Sequence, residues 1–421
     1  MARKMKNSGV EWIGEIPEEW NLVKVKNLFN IGRGRVIAKT ELEDEGYPVY
    51  SSQTKDNGVL GYISTYDFDR SQLTWTTDGA NAGTVFLREG KHNCTNVCGT
   101  LMPKEDSNNL KYMKYALEFI AIYHKRADTN GFKIMNNEMA EIKITIPPVT
   151  VQQKIADFLD EKVGEIDTII AKTKQSIEEY KKYKQAVITE TVTKGLDESV
   201  EMKDSGIEWI GKIPRNWKTI KIKYTSWLKG RIGWQGLKSD EYQDEGAYLI
   251  TGTDFYNGAI KWESCVHISD NRFAEAPEIH IKEDDLLITK DGTIGKVAIA
   301  KNCPEKVSLN SGVLLIRNTK VFKYYDKYLY FVLLSDQFWK WYERSQTGNS
   351  TIKHLYQEQF YNFEFTFPKI EEQQRIAEYL KKKVTEIDAL ITKKESFIEE
   401  METYKKSLIY EYVTGKKEVP V

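Results

Sequence analysis

Two stretches of the chain repeat one spacing of apolar and polar positions. Residues 155–190 place Leu159, Val163, Ile166, Ile170, Ile177, Tyr180, Tyr183 and Val187 on one seam. Residues 376–411 do the same with Leu380, Val384, Ile387, Ile391, Ile398, Met401, Tyr404 and Leu408, at a constant offset of 221 and without a gap. Steps of three and four at a seven-residue period, flanked by Glu and Lys, predict two long helices with a coiled-coil seam. Two seams of similar length bury each other most simply as an antiparallel pair, about 54 Å long at 1.5 Å per residue. Two unrelated amphipathic helices would not share the polar positions Glu165, Asp167 and Glu190, which recur as Glu386, Asp388 and Glu411. The repeated polar positions read as a docking face for two copies of one partner.

Elsewhere the pattern is that of short strands. Residues 7–20, NSGVEWIGEIPEEW, recur as DSGIEWIGKIPRNW at 204–217, with Trp12, Pro17 and Trp20 matched by Trp209, Pro214 and Trp217. These tryptophans are expected to pin a turn and a first strand onto a core. Apolar runs at 22–31, 59–63, 73–75 and 84–87 are broken by Gly, Asn and Asp and predict strands. Residues 286–300 predict a β-hairpin with Asp291-Gly292 in its turn, and 73–87 are the counterpart. Residues 110–124 and 328–342 have helical spacing, and 141–146 and 363–367 are final strands ended by proline.

The order is therefore motif, strand-rich region, long helix, and the same again. The predicted fold is α+β: two strand-rich recognition domains separated by two long helices that pair as an antiparallel coiled coil, with a pseudo-two-fold internal repeat. The boundaries are 1–149, first motif and domain; 150–200, first long helix; 201–369, second motif and domain; and 370–421, second long helix. Matching parts face something that occurs twice, and diverged parts face two different things. A bipartite, non-palindromic linear target such as DNA fits that pattern.

Composition narrows the class. The 421 residues carry 29% charged and 40% hydrophobic side chains, a globular profile, and a formal net charge of -1 gives no global field toward nucleic acid. Four cysteines imply a reducing compartment, and without a long apolar run or an apolar segment after the basic start the chain reads as cytoplasmic, with no membrane contact. Catalytic patterns are missing. Pro147-Pro148 is a strand exit, not a methyltransferase loop, and Gly295-Lys296 lacks the earlier Gly and the hydroxyl of a phosphate-binding loop. His92, Cys94 and Cys98 stand close together, but no second pair completes a metal site. The expectation is no catalytic residue, no metal and no cofactor bound by this chain.

The chain resembles the specificity subunit of type I restriction-modification systems over essentially its whole length. The resemblance is carried by SGVEWIGEIPEEW and SGIEWIGKIPRNW, by IPPVTVQQKIADFLDEKVGEID and FPKIEEQQRIAEYLKKKVTEID, and by ITKDGTIGKV. It implies two target recognition domains, each reading half of a split site in double-stranded DNA, with the long helices as spacer. It also implies two modification (methyltransferase) subunits that carry S-adenosylmethionine and flip one adenine per half-site, and optionally two restriction (motor-nuclease) subunits. The rival readings are a coiled-coil scaffold between proteins without DNA, and a stand-alone nuclease or methyltransferase.

DNA contacts would come from polar loops of the two domains. In the first, the candidates are Arg33, Arg35, Ser52, Gln53, Thr54, Lys55, Asn57, Thr77, Asn81, Asn130 and Lys133. In the second they are Lys229, Arg231, Trp234, Gln235, Thr253, Asn257, Lys290, Thr293, Gln346, Asn349, Ser350 and Lys353. Arg33, Arg35, Lys133, Arg231 and Lys353 are favoured because cations dominate phosphate contact. Residues 21–146 hold 16 basic and 15 acidic side chains, and 215–367 hold 21 and 19. Neither region is strongly basic, so the isolated subunit is expected to bind DNA weakly, with partners supplying much of the phosphate contact.

Overall fold

The computed structural model describes residues 3–129, 131–231, 237–319, 321–346 and 354–420. The chain is α+β and forms two compact units: residues 1–174 with 395–421, and residues 175–394. Each unit holds one strand-rich region and a part of both long helices.

In the first unit the opening motif is a small antiparallel pair, Met5–Asn7 with Glu15–Pro17, followed by a fully buried Trp20. The run at 22–31 is not one strand. Asn21–Lys24 pairs with the final strand Lys143–Ile146, a helical turn Val25–Leu28 buries Val25, and Phe29–Arg33 enters a different sheet. That antiparallel sheet has the order Phe29–Arg33, Cys98–Pro103, Gln72–Thr76, Val85–Arg88. A smaller sheet joins Asn93–Cys94, Tyr47–Tyr50 and Val59–Ile63. The helix Leu110–Ala121 starts on Asn109, whose side chain accepts the Tyr112 N–H, and buries Tyr112, Met113, Ala116, Leu117 and Ile120 at helical spacing.

The second unit repeats this order. Ser226–Gly230, Val313–Asn318, Leu286–Thr289 and Val297–Ile299 form its four-stranded sheet, and Val266–Ile268, Ala247–Ile250 and Val307–Leu309 its smaller one. The helix expected over 328–342 is two helices, Asp326–Leu334 and Asp336–Ser345. They meet at Ser335, whose extended backbone and hydroxyl cap the second helix at Gln337 N. Its Phe338 and Trp341 pack among Phe360 and Phe363, an aromatic cluster that fixes the turn between them.

The long helices run Val149–Lys194 and Ile370–Val413. Within the first unit Phe158 meets Tyr412, with ring centroids 4.5 Å apart, and Asp167 pairs with Lys405 at 2.8 Å. Within the second, Lys184 pairs with Asp388 at 2.6 Å and Tyr180 lies under Lys394. Positions rise on one helix as they fall on the other, so the pairing is antiparallel. The seam is apolar as expected through Leu159, Val163, Ile166, Ile170 and Ile177 and through Leu380, Ile387, Ile391 and Ile398. Tyr183 and Tyr404 depart from it: both are 52% exposed, while Ile188, Val192, Ile409 and Val413 are buried. The inward face drifts because 3.6 residues per turn do not divide seven. The repeated Asp167 and Asp388 are also not a free face, since each is taken by a lysine of the other helix.

Buried polar groups lock each helix end to a recognition region. The Tyr112 hydroxyl lies 3.0 Å from Thr145 Oγ1 and donates to the Val413 carbonyl at 3.2 Å. The Tyr328 hydroxyl lies 2.9 Å from Thr366 Oγ1 and donates to the Val192 carbonyl at 3.3 Å. Both carbonyls belong to a last helical turn, which has no partner within its own helix. Gln152 and Gln373 do the corresponding work at the helix starts. Their side chains accept from Asn109 N and Tyr325 N and donate to the Pro147 and Pro368 carbonyls, all at 2.9 Å. Beyond the ends, Gly195 (φ +82) and Gly415 (φ +72) reverse the chain, and a Cβ on Gly415 would stand 2.6 Å from Pro17.

Candidate nucleic-acid interface

In the first unit, residues 51–58 link the strands Tyr47–Tyr50 and Val59–Ile63. Ser51 N–H closes the loop on the Gly58 carbonyl at 2.9 Å, and the Gln53 amide donates to the Val59 carbonyl. Asp56 (φ 49), Asn57 (φ 53) and Gly58 (φ 81) are all left-handed, a conformation that costs non-glycine residues about 1 kcal/mol or more. The loop thereby exposes Thr54, Lys55 and Asn57.

Neighbouring segments extend this face. The Asn81 side chain donates to Thr54 Oγ1 at 3.4 Å. Asp78–Gly79 pairs with Gly131–Lys133, with Lys133 opposite Asp78 and Phe132 opposite Gly79. Arg33 reaches Asn136 Oδ1 at 3.2 Å. Thus Arg33, Gln53, Thr54, Lys55, Asn57, Asn81 and Lys133 fall on connected loops. Ser52 is half-buried beside them.

Their charges are largely committed. Lys133 pairs with Asp128 at 3.3 Å and holds that carboxyl below its usual range. Arg35 pairs with Asp67 at 3.0 Å and Glu41 at 3.6 Å. Thr77 is removed from the surface: it is buried and donates to the Val97 carbonyl at 3.0 Å. Asn136 and the exposed Phe132 also lie on this face and are not among the candidates that the sequence pattern offers.

In the second unit the same strand ends bear different loops. Thr251 N–H is capped by Asp254 at 2.7 Å, and Asp254 is buried, so it shapes this turn. Thr253 is exposed on it. The hairpin 286–299 has a seven-residue connection that includes Asp291-Gly292. Within it Thr293 is exposed and its carbonyl accepts the Thr289 hydroxyl at 2.5 Å. Lys290 accepts Leu355 N–H at 3.0 Å and its ammonium lies 3.8 Å from the Cβ position of Gly230. Gln346 donates to the His354 carbonyl at 3.3 Å, and His354 contacts Asp291. Lys229, Thr253, Lys290, Thr293 and Gln346 therefore gather about one end of the strand Leu286–Thr289.

Two candidates do not join them. Arg231 is 2% exposed, its Nε donates to the Leu309 carbonyl at 2.8 Å and its Nη2 to Ser308 at 3.0 Å, and burial pulls its pKa down. It is an internal strut, not a phosphate contact. Asn257 turns at the other end of Leu286–Thr289, where the Ile299 N–H binds the Gly258 carbonyl at 3.0 Å. Lys229 faces Glu278 at 3.7 Å. Asn130, Trp234, Gln235, Asn349, Ser350 and Lys353 lie outside the described residues.

The His92, Cys94 and Cys98 group is internal packing. The His92 nitrogens lie 2.9 Å from Gln72 Nε2 and 2.8 Å from the Gly90 carbonyl, and both thiols are buried. Among the described residues no group of three or more His, Cys, Asp or Glu could hold a metal ion, and no helix is long and apolar enough to cross a membrane.

The family model described as "Type I restriction modification DNA specificity domain" matches residues 17–179 and 214–400, one span in each repeat. The chain belongs to this family. A putative type I specificity subunit N-terminus of Mycoplasma pneumoniae is 41% identical over 139 residues, 32% of this chain and 74% of that protein. Against another putative type I specificity subunit of that organism, the match covers only 38% of the relative's length at 39% identity. The MjaVIII specificity subunit of Methanocaldococcus jannaschii is 25% identical over 395 residues, 89% of this chain and 88% of that one. Among solved structures, a chain from work on complex assembly and conformational transition of the type I R-M system superposes with a TM-score of 0.70. It covers 96% of this chain and 99% of its own at 14% identity, a likeness of fold. The sequence resemblance and the internal repeat thus agree with a type I specificity subunit.

Proposed function

We propose that this specificity subunit reads a bipartite, non-palindromic site in double-stranded DNA and holds two methyltransferase subunits over it. Each recognition region would read one half-site. The observation that carries this reading is a duplicated frame bearing unlike loops. Tyr112, Thr145 and Val413 have their counterparts in Tyr328, Thr366 and Val192, and Asp167–Lys405 has its counterpart in Asp388–Lys184. On matched strand ends, however, residues 51–58 close from Ser51 to Gly58 with Asp56 left-handed, whereas 251–258 close on Asp254 and hold Tyr256 in a short strand; only the Asn-Gly pair, 57–58 and 257–258, is left-handed in both. Equal frames suit two equal partners; unlike loops suit two unlike half-sites.

Exposed apolar positions on the helices support the partner count. Val149, Ile169 and Tyr183 recur at the offset of 221 as Ile370, Leu390 and Tyr404, and all six are exposed. Exposed apolar side chains repeated at one offset are what a surface used twice would carry. In this reading the partners bring S-adenosylmethionine and the methyl transfer, two restriction subunits join optionally, and this chain performs no covalent step. The setting is the cytoplasm. Because the reading loops are nearly neutral, much of the phosphate contact falls to the partners.

The test is to reconstitute the subunit with its methyltransferase partner and map methylated adenines in random-sequence DNA. The expected outcome is one split motif with unlike halves at fixed spacing. Methylation without a split motif would contradict the reading.

A further inference from the structure

Beneath the loop at 51–58 lies a cation that neither the repeat nor the proposed contacts explain. Arg88 is 1% exposed. Its guanidinium carbon stands 3.6 Å from the Tyr50 ring centroid and 4.2 Å from that of Phe86. Nε donates to Thr74 Oγ1 at 3.0 Å and Nη1 to the Asn57 carbonyl at 2.6 Å, while Nη2 is buried with no hydrogen-bond partner. Among the described residues no carboxylate pairs with it, and burial pulls its pKa down. A buried cation without a counter-charge is costly.

The second unit shows that the fold does not need it. Strand register places Leu287, Ala298 and Ala300 where the first unit has Thr74, Phe86 and Arg88, and Ile250 where it has Tyr50. All four belong to one apolar cluster. The corresponding loop of that unit keeps a left-handed pair, Asn257 (φ 48) and Gly258 (φ 78), but closes on its own Asp254 and holds Tyr256 in a strand where the first unit has left-handed Asp56 (φ 49). The arginine therefore goes with the extra left-handed residue, Asp56. Its one bond out of the core is to Asn57, between Asp56 and Gly58, and a Cβ on Gly58 would stand 2.9 Å from Nη2.

We propose that Arg88 is a positioning residue that sets the reading conformation of residues 51–58, and hence the specificity of the first recognition region. The proposal rests on the reading of that region as a DNA reader. It is tested in the assembled methyltransferase complex by measuring base preference at every position of both half-sites for wild type, Arg88→Met, Arg88→Lys and Lys55→Ala. Arg88→Met is expected to lower discrimination by about tenfold, the order of one direct base contact, at some positions of one half-site only. Arg88→Lys restores part of it, because a lysine can still donate to the Asn57 carbonyl. Unchanged preferences in a folded Arg88→Met complex would overturn the proposal, as would an equal loss at both half-sites, which is what general destabilisation produces. If Arg88→Met fails to fold, Arg88→Lys decides by the same criteria: a partial loss at one half-site supports the proposal and unchanged preferences overturn it. A Lys55→Ala effect with silent Arg88 variants removes only the role of Arg88. A silent Lys55→Ala, with no split motif for wild type, removes the reading beneath it.

Discussion

Tyr112 and Tyr328 each place a phenol hydroxyl between a final strand and the last turn of a long helix. Tyr112→Phe or Tyr328→Phe removes one of two hydroxyl donors to a helix-end carbonyl that Thr145 or Thr366 also serves, and should cost about 0.5–1.5 kcal/mol. Urea denaturation of the full chain would read this, and a cost near zero would show that the threonine hydroxyl alone holds the helix end. Asp326 offers a pH signature. Burial raises its carboxyl to about 6 from 3.8, so the folded state holds the proton more tightly than the unfolded chain. Stability from this group is present below pH 4 and declines as the pH rises toward 6. Asp326→Asn should remove that slope and add about 1 kcal/mol at pH 7, after discounting for partial exposure; equal slopes in both proteins would assign the effect elsewhere. Single residues were the least legible part of the sequence. Arg231 and Arg33 look alike in a polar stretch, yet one is an internal strut and the other is exposed among the loops proposed to read DNA, because burial is decided by strands distant in the chain. Arg88 gave no signal alone; only the structural register that sets it against Ala300 reveals it.

The long helices and the duplicated motif were legible because period and repeat are local properties of the sequence. What the pattern missed is instructive. Tyr183 and Tyr404 fit the seven-residue period but turn outward, and the helix at 328–342 breaks where Ser335 caps a new one. The repeated Asp167 and Asp388 suggested a docking face, whereas their ion pairs with Lys405 and Lys184 join the helices. These exposed pairs are worth about 0.2–1 kcal/mol each, so the apolar seam dominates, and Ile166→Ala should cost about 2–4 kcal/mol. The exposed repeat behaves differently. Ile169→Ser or Leu390→Ser should change stability by less than about 0.5 kcal/mol. Each should nonetheless weaken one of two methyltransferase copies. Native mass spectrometry of the complex reads this directly: a shift from two copies to one supports the duplicated surface, and full occupancy in the double variant removes it.

At the scale of the whole molecule, the two recognition regions are proposed to be independent readers, with the helices setting the spacing between half-sites. Four residues added to both helices, about 6 Å, should lengthen the tolerated spacer by one or two base pairs at about 3.4 Å each. Methylation with an unaltered spacer would show that the helices do not set the distance. The identities of the bases were not legible, because no code converts polar residues on a loop into a base sequence without the conformation in which the loop presents them. The central claim is the separability of the two readers, and one measurement addresses it most directly. Residues 21–149 are exchanged for those of a subunit with a different motif, and methylated adenines are mapped in the reconstituted complex. The account predicts a new half-site on one side, the old half-site on the other and the same spacing between them. An active complex in which both half-sites change, or neither does, would contradict it.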